Sequence, residues 1–372
     1  MLLTYNIGVV GPGTIGRRII ESLDKHPNYK VIGVAKTSKN NWPKDLFSKY
    51  KFYVSDKIDM EKYSFGDTQI RLDAKLKEFS EFNPAGTLID LILRADLIVD
   101  TTPKKVGIKN KGLYENEVIK KTREELGLNP LKVIYQGGEK SSVAEMSFIA
   151  NPCYNKVGKN INSVRCVSCN TTGMGRIVYQ LIQNNKIPRI NRIYNTLVRR
   201  SIDPSQKKGS FIDAFKAEAN SHHGEDLKTI YPQVKIGTNA FAVPMSHFHG
   251  HSIIVQFEDT VELEDVQELL LRDDRIAVIN PTEFFSGDLF ELSRKYPNQD
   301  AYVVVAQIKK ISDFDDTIAV LAAVPQESIV IPENLDAINA LLTNKTKKES
   351  MNETDELLGI PRIKENLEYL LN

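Results

Sequence analysis

The sequence lacks the features that define several classes of protein. It has no apolar run near the roughly 20 residues that span a membrane. Its 49 basic and 48 acidic residues leave a net charge of +1, so no charge excess indicates a nucleic-acid partner. The N-terminal segment also lacks the charged and apolar regions of a signal peptide. We therefore expect no membrane and no nucleic acid among the partners of this chain.

Cysteine is scarce: Cys153, Cys166 and Cys169 are the only three among 372 residues. Three thiols at these spacings are too few for a disulfide framework or a zinc site. This composition fits a reducing, cytoplasmic location best. A chain of this length with 41% hydrophobic residues is predicted to form two globular domains.

The best-defined motif near the N-terminus is a glycine loop between a strand and a helix. The apolar segment Tyr5–Val10 leads into a Gly-x-Gly-x-x-Gly sequence, after which apolar residues recur at helical spacing. Glycines in such a loop let a pyrophosphate approach the backbone at the helix N-terminus. A tight glycine turn with no ligand is the alternative. The candidates for cofactor binding in this loop are Gly11, Gly13, Thr14, Ile15 and Gly16.

The end of the second predicted strand (30–35) bears on the choice of cofactor. About 20 residues past the glycines, NAD-binding domains carry an acid that binds the ribose 2′-hydroxyl. This chain instead has Lys36, followed by Thr37 and Ser38. Because a lysine attracts a 2′-phosphate and an acid repels it, we predict NADP in preference to NAD, with use of both left open.

Strand and helix patterns continue to alternate, although residues 39–87 show none that assigns their pairing. One strand (97–100) ends at Thr101 and Thr102, and another (132–135) opens into a loop that contains Gly138. Such alternation builds a parallel sheet whose ligands lie at the carboxyl ends of the strands. We therefore predict an α/β chain with a Rossmann-type first domain, in which these three residues contact the cofactor.

Cys169 occupies the position where an apolar strand (164–167) meets an amphipathic helix. The unpaired N–H groups and partial positive charge of a helix N-terminus favour a thiolate, so we expect its thiol pKa to fall below the free value near 8.5. Cys169 is therefore a candidate nucleophile; a small buried hydrophobic residue at a helix start is the alternative. Backbone N–H groups of this turn can stabilise an oxyanion, which makes Ser168, Asn170 and Thr171 candidates for substrate contact.

After Cys169 the strands lengthen and helices become fewer, which predicts an α+β catalytic domain with a mostly antiparallel sheet. Five of the six histidines lie between positions 222 and 251. A metal site is one interpretation, but the run from His247 to His251 contains no acid or thiol, and we predict no metal. A histidine base for Cys169, with arginines and histidines binding an anion, explains more of this cluster. Spacing alone does not choose the base among His247, His249 and His251.

These segments, in this order and at this spacing, resemble the archaeal-type glyceraldehyde-3-phosphate dehydrogenases along nearly the whole chain. The matching motifs are the glycine loop, Gln136–Lys140, Ser168–Gly173, Arg199-Arg200, Ser221–Gly224, His249-x-His251, Gln326–Ser328 and Pro332–Asn334. Three departures are Pro325, where the family often has histidine, the additional ring of His247, and an expanded segment between residues 39 and 128.

The resemblance implies a phosphorylating oxidation of D-glyceraldehyde 3-phosphate to 1,3-bisphosphoglycerate. It implies Cys169 as nucleophile and His249 as base. Substrate or inorganic phosphate would be held by Arg199, Arg200, His222 and His223. Asn334 would hold the nicotinamide amide, and Lys36 to Ser38 would contact the adenosine ribose. A homotetramer is also implied, with a cofactor domain at 1–168, completed by helices in 333–372, and a catalytic domain at 169–332.

Two other functions share parts of this pattern. A related semialdehyde or acyl-phosphate reductase also uses a Rossmann domain, a cysteine and a histidine, but the paired arginines and histidines favour a phosphorylated substrate. A dinucleotide-sensing or RNA-binding Rossmann protein needs no nucleophile. The neutral net charge and the position of Cys169 argue against that second alternative.

Overall fold

The structure is a computed structural model that describes residues 4–365 except 137, 201–215, 246, 280–286, 288–300 and 363. The chain divides into two compact units, and each is discontinuous in sequence. Unit 1 comprises Met1–Phe148, Asn155–Cys166 and Asn334–Thr346, and unit 2 comprises Ile149–Tyr154, Val167–Glu333 and Lys347–Asn372. None of the helices in the described ranges is both long and apolar enough to cross a membrane.

Unit 1 is built on a seven-stranded sheet in which every pairing is parallel. Its order, β3-β2-β1-β4-β5-β7-β6, reverses direction beside β1, as in dinucleotide-binding folds. The strands are β1 Tyr5–Val10, β2 Tyr29–Lys36, β3 Phe52–Val54, β4 Leu97–Asp100, β5 Lys132–Tyr135, β6 Met146–Phe148 and β7 Ser163–Cys166. The helices are α1 Thr14–Leu23, α2 Lys44–Lys49, α3 Phe65–Glu78, α4 Leu88–Ile92, α5 Gly107–Tyr114 and α6 Glu117–Glu125. The predicted Rossmann-type architecture is confirmed.

The sheet of unit 1 is buried on both faces, which explains its continuous apolar strands. Val9 and Val10 are neighbours on β1, yet each belongs to a different core cluster. Because successive strand residues point to opposite faces, these clusters lie on the two sides of the sheet. Ile20 of α1 packs in the cluster of Val9, and Leu91 of α4 packs in the cluster of Val10.

Unit 2 contains a second seven-stranded sheet, in the order β12-β13-β14-β11-β8-β10-β9. Four of its pairings are antiparallel and two are parallel, so the predicted mostly antiparallel catalytic domain is confirmed. The strands are β8 Ile190–Arg200, β9 Lys216–Glu218, β10 Ile236–Val243, β11 His249–Phe257, β12 Ile276–Val278, β13 Val303–Ile311 and β14 Phe314–Val324. Its helices include α7 Ala150–Cys153, α8 Cys169–Ile182, α9 His222–Lys228 and α10 Leu263–Leu271.

Near the C-terminus lie the helices α11 Ile331–Leu342 and α12 Lys347–Leu358, which are divided between the two units. The family resemblance implies that helices in 333–372 complete the cofactor domain, whereas Asn334–Thr346 belong to unit 1 and the segment Lys347–Asn372 belongs to unit 2. The reason is a set of polar contacts that a local pattern does not reveal. Within unit 2, Arg275 Nε donates to Asp355 at 2.8 Å, and Lys347 Nζ donates to the hydroxyl of Tyr179 at 3.0 Å.

A buried ion network fixes the start of α11 within unit 2. Arg176 of α8 pairs with Glu333 at 2.6 Å, and Arg275 approaches the same carboxylate oxygen at 3.4 Å. The backbone N–H of Ala150 also donates to Glu333. Burial alone raises the pKa of Glu333, but the two guanidinium groups bring it below its ordinary value. The carboxylate is therefore charged and satisfied.

Candidate active site

The glycine loop of unit 1 has the geometry that a pyrophosphate needs. Gly11 has a φ of 91°, a left-handed conformation that only glycine adopts without strain. A Cβ on Gly16 would lie 2.4 Å from the carbonyl oxygen of Gly11, so this position requires glycine for packing. α1 has no acidic residue in its first turn, and no side chain caps it. The helix N-terminus is thus open to an anion, and the loop, with Thr14 and Ile15 opening α1, fits a dinucleotide.

The loop after β4 supports the glycine loop. Thr101 Oγ1 donates to the carbonyl oxygens of Val10 and Gly11. Thr102 donates its backbone N–H, at 3.0 Å, and its hydroxyl to the carboxylate of Asp100. Asp100 is 1% exposed and also accepts hydrogen bonds at 2.8 Å from Asn110 and Tyr114. The side chains of both threonines are therefore engaged in shaping this loop.

The other predicted cofactor residues lie at strand ends or on α11. Lys36 is the last residue of β2, followed by half-buried Thr37 and Ser38, and burial lowers the pKa of Lys36 below its ordinary value. Gly138 follows β5 and has a φ of 74°. In α11 the buried Asn334 donates through Nδ2 to Gln136 Oε1. The amide predicted to hold the nicotinamide is thus oriented by the loop after β5.

Cys169 is the first residue of α8, as the sequence predicts. Ser168 caps this helix, since its Oγ accepts a hydrogen bond from the N–H of Thr171 at 3.3 Å. Cys169 is partly exposed, whereas Cys153 and Cys166 are buried at 2% and 1% exposure. Among the three thiols, Cys169 alone combines a helix N-terminus with access to solvent.

His249 and His251 open β11 and both point to its buried face. Each is 3% exposed. His249 Nδ1 accepts a hydrogen bond from the backbone N–H of Arg200 at 3.3 Å. Burial, together with His251 and the two arginines of β8, lowers the pKa of His249 well below 6.5. The ring is therefore neutral and carries its proton on Nε2.

His247 does not share that face, so the structure distinguishes it from His249 and His251, which the spacing alone could not do. β11 begins only at His249. Phe248, directly before it, has a φ of 58°, in the left-handed region that breaks the extended path. Side-chain alternation therefore does not carry back from His249 to His247, and His247 is partly exposed.

His223 joins this group from the first turn of α9. It is 2% exposed, and its Nδ1 lies 3.4 Å from Ser168 Oγ, the cap of α8. Burial lowers the pKa of His223 to about 2, with further lowering by His222, Arg199 and the two β11 histidines. Its Nε2 is buried and forms no hydrogen bond with the described residues. His222, by contrast, is exposed, with its ring centroid 4.1 Å from that of His223.

The two arginines at the end of β8 have different surroundings, as their opposite faces predict. Arg200 is buried and pairs through Nη2 with Glu327 at 2.8 Å. Arg199 is half-buried, and its Nε has no hydrogen-bond partner in the described part of the chain. Its charge lowers the pKa of both His223 and His249. Unit 2 therefore brings a thiol, neutral imidazoles and guanidinium groups together around the start of α8.

Comparison with known proteins decides the family. A family model described as glyceraldehyde 3-phosphate dehydrogenase, C-terminal domain, matches residues 168–290. The glyceraldehyde-3-phosphate dehydrogenase of Archaeoglobus fulgidus is 34% identical over 97% of this chain and 100% of that protein. Those of Thermococcus onnurineus and Sulfurisphaera tokodaii are also 34% identical, over 96% and 95% of this chain and 99% and 97% of theirs.

The chain belongs to the glyceraldehyde-3-phosphate dehydrogenase family. The predicted resemblance to its archaeal type is confirmed, as is the prediction of an NAD(P)-dependent oxidoreductase. Membership in this family also removes the non-enzymatic alternative, a sensing or RNA-binding Rossmann protein.

Several residues around the glyceraldehyde-3-phosphate dehydrogenase motifs were not identified as site residues from the sequence. Asn195 of β8 contacts His251, Glu327 pairs with Arg200, and Asp100 organises the loop after β4. Glu327 stands in a motif that the family resemblance includes, which is the one signal that points to it. Asn195 and Asp100 lie within or at the end of apolar strands, where nothing in the local pattern marks a polar role.

Proposed function

We propose that this chain is a phosphorylating glyceraldehyde-3-phosphate dehydrogenase. It would oxidise D-glyceraldehyde 3-phosphate with inorganic phosphate to 1,3-bisphosphoglycerate and reverse this reaction. The observation that carries the proposal is the partly exposed Cys169 at the start of α8, next to Ser168, whose hydroxyl lies 3.4 Å from His223. Full-length similarity to archaeal enzymes of this name supports the substrate assignment.

The chemistry begins at Cys169. Its thiolate adds to the aldehyde carbon, and the carbonyl oxygen becomes an alkoxide. A bound nicotinamide would supply the acceptor for the hydride of that carbon, and the loss of this hydride would leave a thioester on Cys169. Inorganic phosphate then attacks the thioester, releases the acyl phosphate and regenerates the thiolate.

His249 acts on the oxygen of the intermediate. Because its Nδ1 accepts a hydrogen bond from the backbone of Arg200, the neutral ring presents Nε2–H as a donor. This donor forms a hydrogen bond to the alkoxide and stabilises its negative charge until hydride leaves, so His249 assists Cys169 as the hydrogen-bond donor to the intermediate. His251 does not fit this role, since each of its ring nitrogens lies 2.9 Å from an asparagine side chain.

The phosphate groups are assigned to the polar side chains around the cap of α8. His223 Nε2 and Arg199 Nε are buried polar atoms without partners among the described residues, and an anion would satisfy both. Ser168 and the exposed His222 extend this surface, and the buried Thr171 supports it through its hydroxyl, which lies 3.0 Å from Ser168 Oγ. Arg200 adds charge, although its pairing with Glu327 weakens the field that it presents to an anion.

Cofactor preference is assigned to the end of β2. Lys36, with Thr37 and Ser38, would meet the adenosine ribose, and its charge favours NADP over NAD. Lys36→Asp should raise the KM for NADP far more than the KM for NAD. An unchanged ratio of the two KM values would place 2′-phosphate recognition elsewhere.

We also propose that the chain forms a homotetramer through the outer face of the unit 2 sheet. Along β11, alternate residues are half-buried, and Ile254 lies in register with Tyr194 of β8. Tyr194 is 56% exposed and Leu321 of β14 is 39% exposed. An apolar sheet face of this kind is typical of a subunit interface. Tyr194→Asp should lower the mass measured by light scattering; an unchanged tetramer would exclude this face.

The proposed activity is tested by reduction of 1,3-bisphosphoglycerate with NADPH and with NADH in turn. We expect oxidation of the cofactor, release of inorganic phosphate in equal amount, and a higher kcat/KM with NADPH. The Cys169→Ser variant is the control and should be inactive. Activity toward aspartyl phosphate, with none toward 1,3-bisphosphoglycerate, would support the related reductase instead.

A further inference from the structure

Three buried side chains form a hydrogen-bonded series that ends at Asn170, the residue directly after Cys169. His251 Nδ1 lies 2.9 Å from Asn195 Nδ2, and His251 Nε2 lies 2.9 Å from Asn170 Oδ1. Asn195, His251 and Asn170 are exposed by 2%, 3% and 2%. Asn195 belongs to β8, His251 to β11 and Asn170 to the first turn of α8. The contacts thus connect two central strands of the sheet with the turn that carries Cys169.

The direction of each hydrogen bond in this series follows from the protonation state of His251. Burial lowers the pKa of His251 to about 3, so the ring is neutral and has one donor and one acceptor. Nδ1 accepts from the amide of Asn195, and Nε2–H donates to the side-chain oxygen of Asn170. That oxygen is therefore occupied.

Asn170 is a residue whose side chain could otherwise interfere with the site. Asparagine side chains readily accept hydrogen bonds from nearby backbone N–H groups, which is why they favour helix caps. In α8 the Thr171 N–H is already capped by Ser168 Oγ, and the Thr172 N–H donates to the Ser168 carbonyl at 2.8 Å. The backbone N–H of Asn170 has no partner among the described residues. It is a donor that a thiolate or oxyanion at Cys169 can use.

We propose that His251 is a positioning residue, which holds the Asn170 side chain by its oxygen and so keeps the backbone N–H of Asn170 available to the reacting groups at Cys169. The inference deepens the proposed function and rests on Cys169 as the nucleophile. His251 is buried, and both of its ring nitrogens are bonded to asparagine side chains. It acts through Asn170, and its effect is on the reactivity of the thiol and of the intermediate.

Two substitutions of His251 form a matched pair. The amide nitrogen of a glutamine side chain reaches the position of His Nε2, whereas asparagine reaches only that of Nδ1. His251→Gln therefore retains a donor to Asn170, and His251→Asn retains only the contact to Asn195. Both substitutions replace the ring by an amide, so each variant buries one polar amide group at this position.

The test measures alkylation of Cys169 by iodoacetamide at pH 7 in the full-length protein, together with kcat. Cys153 and Cys166 are buried, so fast labelling reports Cys169. We expect His251→Asn to slow labelling and lower kcat by about tenfold, less than the roughly 100-fold that a 1 Å misplacement can cost. His251→Gln should restore both rates to within about threefold. Melting temperatures of the two variants should agree, which separates positioning from folding.

A double-mutant cycle with Asn170→Ala completes the test. Alanine removes the interfering oxygen, so His251→Asn should have no further effect on labelling or kcat in that background. Additive losses, or equal rates in His251→Asn and His251→Gln, would overturn the positioning role. These outcomes are distinct from failure of the proposed function, in which Cys169→Ser would remain active.

Discussion

At the scale of single residues, Cys169 is distinguished from the other two cysteines by its surroundings. It begins α8 and is partly exposed, whereas Cys166 ends β7 at 1% exposure. A thiol at a helix N-terminus is stabilised as a thiolate by the N–H groups and the helix dipole. Cys166 is only three residues away but lacks both conditions.

The first prediction compares these two thiols. Cys169→Ser should lower kcat for glyceraldehyde 3-phosphate oxidation by more than about 10³-fold, because a hydroxyl does not replace the thiolate nucleophile. Cys166→Ser, which changes a buried strand residue, should retain most of the activity. Steady-state kinetics of both purified variants provide the measurement, and similar losses in both would contradict the assignment.

The second prediction concerns His249, whose neutral ring offers Nε2–H to the reacting oxygen. His249→Asn should lower kcat by at least about 10²-fold, the lower end of the loss that follows removal of one donor to an oxyanion. It should also slow iodoacetamide labelling of Cys169 at neutral pH. His247→Asn is the control, since His247 lies before β11 and outside its buried face. A greater loss from His247→Asn would move the role to that residue.

At the scale of elements, the glycine loop between β1 and α1 places two different demands on its glycines. Gly16 lets α1 pack against the loop, because its Cβ would lie 2.4 Å from Gly11 O and 2.7 Å from Thr101 Oγ1. A Cβ on Gly13 would have no described atom within 4 Å, and the backbone there has an ordinary extended conformation. We infer that Gly13 leaves room for the ligand.

The third prediction separates these demands. Gly16→Ala should destabilise the cofactor-free protein by about 1–3 kcal/mol, as overpacking does, and should also weaken cofactor binding. Gly13→Ala should leave the melting temperature of the cofactor-free protein unchanged or slightly higher, yet raise the Kd for NADP at least about tenfold. Calorimetry and fluorescence titration measure the two effects; a destabilised Gly13→Ala variant would refute the distinction.

Elements with strong local patterns were predicted from the sequence, and non-local contacts were not. β1, β4 and β5 match their predicted bounds because each is a continuous apolar segment of a doubly covered parallel sheet. The pairing of β3 with β2 could not be predicted, since residues 39–87 contain no clear period. The spacing could not separate His247 from His249 and His251, because side-chain alternation assumes an unbroken strand and Phe248 interrupts it.

In the candidate site, too, the features with a local pattern could be predicted and the long-range contacts could not. The glycine loop and the strand-to-helix position of Cys169 are local patterns with a physical meaning, so the sequence locates them. The contact of Glu327 with Arg200 joins residues 127 positions apart. The contact of Asn195 with His251 links the neighbouring strands β8 and β11. Such pairs depend on sheet order and register, which no segment encodes by itself.

At the scale of the whole molecule, burial of several histidines links stability to pH. The pKa of His223 is lowered to about 2 and that of His251 to about 3, chiefly by burial, and that of His249 is also lowered. Their value in an unfolded chain is near 6.5. Below that pH the unfolded state binds more protons than the folded state, so the free energy of unfolding decreases as pH falls.

The fourth prediction concerns this decrease in the free energy of unfolding at low pH. Between pH 6.5 and pH 5, each of these histidines should lower the free energy of unfolding by up to roughly 1.5 kcal/mol, and stability above pH 7 should be nearly constant. Urea unfolding at several pH values measures this slope. His223→Asn should reduce the slope between pH 6 and pH 5 by about one proton. A slope that is the same in this variant would show that His223 is protonated in the folded state.

The central claim, a phosphorylating mechanism through a thioester on Cys169, is tested most directly by a single-turnover experiment. The enzyme is mixed with excess glyceraldehyde 3-phosphate and NADP in phosphate-free buffer, and inorganic phosphate is added later. We predict a burst of reduced cofactor equal to the number of active sites and an acyl adduct on the Cys169 peptide by mass spectrometry. Phosphate should then restore turnover and release an acyl phosphate. Sustained turnover without phosphate, or an adduct on another residue, would contradict the mechanism.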